Sequence, residues 1–132
     1  MTFLCDTNII SELARPRPNS GVVDWSQNVT LIAISVITIE EITYGLTANP
    51  NARVEDWFQH FLSYSCQILP VTPEIAQCAG LMRGNFRTKG ISRSQADILI
   101  AATAEVHDLI LVTRNTRDFE GCNIKILNPF VE

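Results

Sequence analysis

Short apolar runs recur along the chain, and each is separated from the next by segments with helical spacing. Thr2-Phe3-Leu4-Cys5, Leu31-Ile32-Ala33-Ile34, residues 67–71, Leu109-Ile110-Leu111-Val112 and residues 123–127 are the candidate strands. A run such as 31–34, with no polar alternation, fits a strand covered on both faces rather than one facing water. Strands alternating with helices point to a parallel sheet joined by right-handed crossovers. The expected fold class is therefore α/β: a three-layer α/β/α sandwich around a mostly parallel, twisted sheet of roughly five strands. No linker interrupts the pattern, so residues 1–132 are expected to form one domain.

The helical segments carry their own punctuation. A short helix over 8–13 must stop at Arg15-Pro16-Arg17-Pro18, and Asn19 or Ser20 can cap a second helix running to about Asn28. Ser35 is placed to cap a helix to about Ala48, and Asn49-Pro50-Asn51 ends it. Val54, Trp57, Phe58, Phe61 and Leu62 form an apolar stripe on a helix over 53–65, as core packing requires. Pro73 opens a long helix to about Arg87, Lys89-Gly90-Ile91 is a loop, and an apolar helix spans 94–107.

Composition removes several function classes. No apolar run approaches the roughly 18 residues that span a bilayer, and the first residues lack a signal-peptide pattern, so a cytoplasmic protein is expected. The four cysteines lack metal-ligand spacing and read as reduced, mostly buried thiols, which argues against zinc. A formal net charge of −4 argues against coating nucleic acid by bulk electrostatics. One stretch departs from that balance: Arg83, Arg87, Lys89 and Arg93 occur with no acid among them, as either a phosphate-binding stripe or a solvated face.

Topology then sorts the acids. Helix amino ends and strand carboxyl ends share one edge of a parallel α/β sheet, where ligands gather. Asp6 closes the first strand, Glu41 lies about two turns into the helix after the second, and Asp97 lies in the first turn of the helix before the fourth. Thr113, Asn115 and Asp118 follow the fourth strand to the same edge. Each acid has a structural role open to it as well. Asp97 can complete a capping box with Ser94, and Glu40 competes with Glu41, although Gly45 leaves more space above Glu41 than Tyr44 leaves above Glu40. Two carboxylates about 4 Å apart repel by roughly 4 kcal/mol at an effective dielectric of 20. A cluster of three or four calls for a cation, and hard oxygen donors suit Mg²⁺ or Mn²⁺. Such an ion at a phosphodiester would activate water and steady the leaving oxygen, so the expected reaction is metal-assisted phosphodiester hydrolysis.

Four ordered stretches, 4–13, 35–45, 96–104 and 112–119, carry a family resemblance. Their cores are Asp6-Thr7-Asn8, Glu40-Glu41, Ala96-Asp97-Ile98 and Thr113-Arg114-Asn115. Together they resemble the PIN-domain toxins of the VapC type, including the FitB-like plasmid-stability proteins. The resemblance implies a small Mg²⁺- or Mn²⁺-dependent ribonuclease. It would be a homodimer silenced by a cognate VapB-type antitoxin, through which the assembly reaches operator DNA. It places Asp6, Glu41 and Asp97 at the family's metal-binding acids and selects Glu41 over Glu40. Asn115 and Asp118 share the fourth position, where members differ, and Asn8 and Thr113 take positions that orient the carboxylates. Arg83, Arg87, Lys89 and Arg93 are then candidates to hold RNA phosphates, with Arg15 and Arg17 nearer the site. A receiver domain would want an acid pair after the first strand and a lysine late in the sheet; a haloacid-type phosphatase would want Asp where Asn8 stands. The remaining alternative is a PIN-like RNA-binding or interaction module with little catalytic power.

Overall fold

In the computed structural model, which describes residues 2–132, five parallel strands lie in the order β3-β2-β1-β4-β5. Here β1 is Phe3–Cys5, β2 Ile32–Ser35, β3 Gln67–Leu69, β4 Ile110–Val112 and β5 Lys125–Leu127. The chain leaves β1 toward β2 and β3, then returns to place β4 on the other side of β1. The carboxyl ends of β1 and β4 therefore flank the topological switch point, the usual place for a ligand crevice. Every pairing is parallel, where the sequence pattern required only most of them to be.

Six helices complete the frame: α1 Thr7–Leu13, α2 Ser20–Gln27, α3 Val36–Ala48, α4 Ala52–Tyr64, α5 Pro73–Thr88 and α6 Gln95–His107. Their starts follow the expected chemistry. Ser35 Oγ accepts the Ile37 amide at 3.0 Å, and Ser94 Oγ accepts the Asp97 amide at 3.1 Å. Thr72 caps α5 ahead of Pro73, and Asn51 caps α4. At its far end α6 stops on Asp108 in the left-handed region at φ 53°, a conformation that Asp tolerates better than most residues.

Alternate strand residues feed two cores. Leu4, Ala33 and Leu111 pack on Ile100, Ala101 and Ala104 of α6. Cys5, Ile34 and Val112 pack on the opposite face against Ile9 and Ile10 of α1, Val22 of α2, and Phe58 and Phe61 of α4. The aromatic stripe of α4 is thus packing, as its spacing implied. The helix α5 forms an outer hairpin with α6, antiparallel to it: Cys78 donates to Glu105 Oε2 at 3.2 Å, while Phe86 meets Arg93 just ahead of α6. A single 3₁₀ turn over Thr116–Phe119, not expected from the sequence pattern, buries Phe119 under the same face as α6. No helix of the described residues is long and apolar enough to cross a membrane.

Candidate metal centre

Asp6 is the most constrained residue of the carboxyl edge. It is only 5% exposed, and its Oδ1 accepts the Thr7 amide at 2.8 Å, which makes it the cap of α1. Its Oδ2 accepts the Thr113 hydroxyl at 2.8 Å and the Asn8 amide at 3.1 Å. Thr113 is fully buried at the end of β4, so one hydroxyl ties the ends of β1 and β4 together. Asn8 finishes the join by donating to Thr113 Oγ1 at 3.2 Å and accepting the Arg114 amide at 3.1 Å.

Glu41 reaches the same cleft from α3. Its Oε1 accepts the Thr7 hydroxyl at 2.7 Å, and Thr7 Oγ1 lies 3.0 Å from the hydroxyl of the fully buried Thr38. An ionised carboxylate can only accept, so Thr7 donates to Glu41 and Thr38 donates to Thr7. The neighbouring Glu40 is exposed and faces Tyr44 and Thr47 in a separate depression on α3.

Asp97 arrives in the first turn of α6. It is half-buried, with Ser94 as its local partner, so the capping and site roles coexist in one residue. Asp6, Glu41 and Asp97 line one cleft of about 450 Å³ together with Thr7, Asn8, Asn115, Arg15 and Arg114. Asn115 is thus on the cleft wall. Asp118 is exposed on the 3₁₀ turn and does not line the cleft, yet its charge reaches Asp97.

The electrostatics match that placement. Burial pushes the Asp6 carboxyl above the usual carboxylate range; the Thr113 and Thr7 hydrogen bonds oppose the rise, while the charges of Asp97 and Glu41 add to it. Burial also raises Asp97, the Ser94 bond and Arg93 lower it, and Asp118 raises it. Among the described residues the single ion pair joins Arg15 to Glu12, so none of the three acids is ion-paired with a basic side chain. Nor do any three His, Cys, Asp or Glu side chains of the described residues converge closely enough to form a ready-made cage. Hard carboxylate oxygens that repel one another at an open cleft fit a divalent cation whose shell is completed by water.

The basic candidates divide. Arg83, Arg87 and Arg93 line one groove with Gly80 and Gly84, and Lys89 is exposed beside it at the end of α5. Arg93, however, is already engaged: its guanidinium donates to the carbonyls of Arg117 at 2.9 Å and Glu120 at 2.7 Å and lies over Phe86. Its place is therefore as an anchor for the 3₁₀ turn. Arg15 is on the cleft wall, whereas Arg17 does not line it.

Besides Arg114, which lines the cleft, four contributors escaped the sequence reading. Thr7 and Thr38 orient Glu41, and Glu12, 8% exposed, lines the cleft while accepting the Asn19 amide at 2.8 Å. The fourth is Phe130, brought to the cleft by the tail beyond β5. The only available sign of Glu12 was an acid on the otherwise apolar face of α1.

Comparison with known proteins agrees with the resemblance. A model of the PIN domain matches residues 3–122. Toxin FitB of Neisseria gonorrhoeae is 33% identical, covering 97% of this chain and 98% of its own. VapC ribonuclease Y4jK of Sinorhizobium fredii is 32% identical, covering 97% of each. A solved toxin–antitoxin complex from Klebsiella pneumoniae contains a chain that superposes with a TM-score of 0.77 at 28% identity, over 98% of both chains.

Proposed function

The chain belongs to the PIN domain family, and from that premise we propose that it is the toxin of a type II toxin–antitoxin pair, an endoribonuclease dependent on Mg²⁺ or Mn²⁺. The observation that carries this reading is the convergence of Asp6, Glu41 and Asp97, from three separate elements, on one cleft, none of them ion-paired with a basic side chain of the described residues. Asp6 and Asp97 would hold the ion, and Glu41 would either join them or position the attacking water. Thr113 and Asn8 fix the direction of the Asp6 carboxylate, and Thr7 does the same for Glu41. When bound, the ion supplies Lewis acidity at the phosphodiester and offsets the charge that builds on the leaving oxygen. In the hydrolysis, water adds at phosphorus, the bond to the leaving sugar oxygen breaks, and that oxygen takes up a proton.

A cognate antitoxin of the VapB kind would silence the cleft and carry the assembly to operator DNA, and the free toxin would be a homodimer. The test is cleavage of RNA by the purified chain with Mg²⁺, with Mn²⁺ and with a chelator, beside Asp6→Asn and Asp97→Asn. Cleavage that needs the metal and both acids supports the assignment. Undiminished cleavage in both variants would overturn it. An inert scaffold is set apart by Mn²⁺ affinity, which Asp97→Asn should weaken only if the acids hold the ion.

A further inference from the structure

The cleft contains a cation that the acid chemistry leaves unused. Arg114 lines it directly after Thr113, and its backbone amide is held by Asn8, the residue that also donates to Asp6. Its register relative to Asp6 is thus fixed by one side chain. The guanidinium carbon lies 4.6 Å from the centre of the Phe130 ring, a cation–π contact. Among the described residues Arg114 forms no ion pair, in contrast to Arg15, which is bound to Glu12.

Phe130 is held in place by more than its own packing. Its amide donates to Asn128 Oδ1 at 3.0 Å. The next residue, Val131, is clasped by Asn19, whose Oδ1 accepts the Val131 amide at 3.1 Å and whose Nδ2 donates to the Val131 carbonyl. Asn19 is in turn tied to the buried Glu12. Gly21 lets the tail lie flat on α2, because a Cβ there would run into the Pro129 carbonyl and the Val131 side chain. Each of these fastenings keeps the ring at the rim of the acidic cleft.

We infer that Arg114, laid against Phe130, grips an RNA backbone phosphate next to the one that is cut, and that Phe130 is a positioning residue acting through Arg114. A ring on one face of a guanidinium leaves its in-plane N–H groups free for the two oxygens of a phosphate. The need is local: an acidic chain and three carboxylates repel a polyanion, and a cation at the rim answers that repulsion where the substrate must enter.

This inference rests on the ribonuclease reading, and its test is separable because it uses binding without cleavage. A fluorescein-labelled single-stranded RNA of mixed sequence is titrated with the whole chain in chelator, at several salt concentrations. Arg114→Ala should weaken binding about tenfold and reduce the salt slope by about 0.7, the release expected for one single-strand phosphate contact. Arg114→Lys should keep the slope. Phe130→Ala should weaken binding several-fold with most of the slope retained, and Phe130→Tyr should restore it, a rescue that a merely structural role of the tail would not require. Mn²⁺ affinity should be unchanged in all four variants. Wild-type binding in either alanine variant would overturn the inference, as would loss of Mn²⁺ affinity together with RNA binding. Failure of the ribonuclease reading shows separately, as no metal-dependent RNA cleavage by the unaltered chain.

Discussion

The two walls of the cleft are built to different standards. On the β1 wall, Asp6 is buried and receives three hydrogen bonds, and Glu41 is wired through Thr7 to the buried Thr38. On the α6 wall, Asp97 is half-buried with Ser94 as its cap partner and Asn115 is neutral, while Asp118 stands exposed outside the cleft. Orientation on the first wall is set before any ligand arrives, because three donors hold Asp6 and the Thr7 hydroxyl holds Glu41. The second wall is held mainly by helix geometry, and its charges are left to be satisfied from the cleft. A rigid wall facing an adaptable one suits a site that must align a substrate and then release two products.

The largest effect is expected where the walls share a task but not a structure. Asp6→Asn and Asp97→Asn should each reduce metal-dependent RNA cleavage by more than about 100-fold, beyond the range usual for groups that only orient ligands. Their stabilities should diverge. Asp6→Asn presents an amide hydrogen to donors and should cost about 1–3 kcal/mol in chemical denaturation. Asp97→Asn removes a repelled charge and should leave metal-free stability unchanged or higher. Equal destabilisation by both would break the comparison of walls.

Next in size is Thr113→Val, which deprives Asp6 of its shortest side-chain donor and should lower Mn²⁺ affinity by about 10–100-fold. Thr7→Val, which frees only Glu41, should fall at the lower end of that range. A calorimetric titration of the two variants ranks them.

Asn115→Asp places a carboxylate on the cleft wall and should tighten Mn²⁺ binding, whereas Asp118→Asn, outside the cleft, should change it by less than about threefold. The reverse order would move the fourth acidic position to the 3₁₀ turn.

The smallest effect concerns pH. The carboxyls of Asp6 and Asp97 stand above the ordinary range when folded, so the folded chain holds their protons more tightly than the unfolded one. Their contribution to stability is therefore fully present below the unfolded carboxylate value and is lost as pH rises through the raised folded values. In chelator, melting of Asp97→Asn compared with the parent should show the parent losing ground as pH climbs out of the acid range. Saturating Mn²⁺ should reverse that loss, by about 2.7 kcal/mol at 100 times its dissociation constant.

Much of this arrangement is legible along the chain. Ser35 and Ser94 precede apolar periodicity by one residue, Pro73 sits where a first turn accepts proline, and all three mark helix starts in the structure. Asp6 at the end of an apolar run and Asp97 as the lone charge between Ala96 and Ala104 were visible as anomalies of local pattern. The 3₁₀ turn was not, because Asn115-Thr116-Arg117-Asp118 has no strong propensity of its own. It is pinned by Arg93 from a distant segment and by burial of Phe119. For the same reason Arg93 looked like one of four free basic residues, although its partners are backbone carbonyls 24 and 27 residues away.

Sequence alone determined which segments become strands and helices, which acids are placed at their ends, and hence that the carboxyl edge must be acidic. Those properties depend on neighbours within a turn or two, and local pattern encodes them. The tertiary structure decided who meets whom across the switch point: Thr113 on Asp6, Thr7 under Glu41, Asn115 rather than Asp118 on the cleft wall, and Phe130 beneath Arg114. Such pairings join residues well beyond a helical turn of one another, 107 positions apart for Thr113 and Asp6 and 34 for Thr7 and Glu41, through strand order and through one glycine that lets the tail lie close. No periodicity within the chain records them.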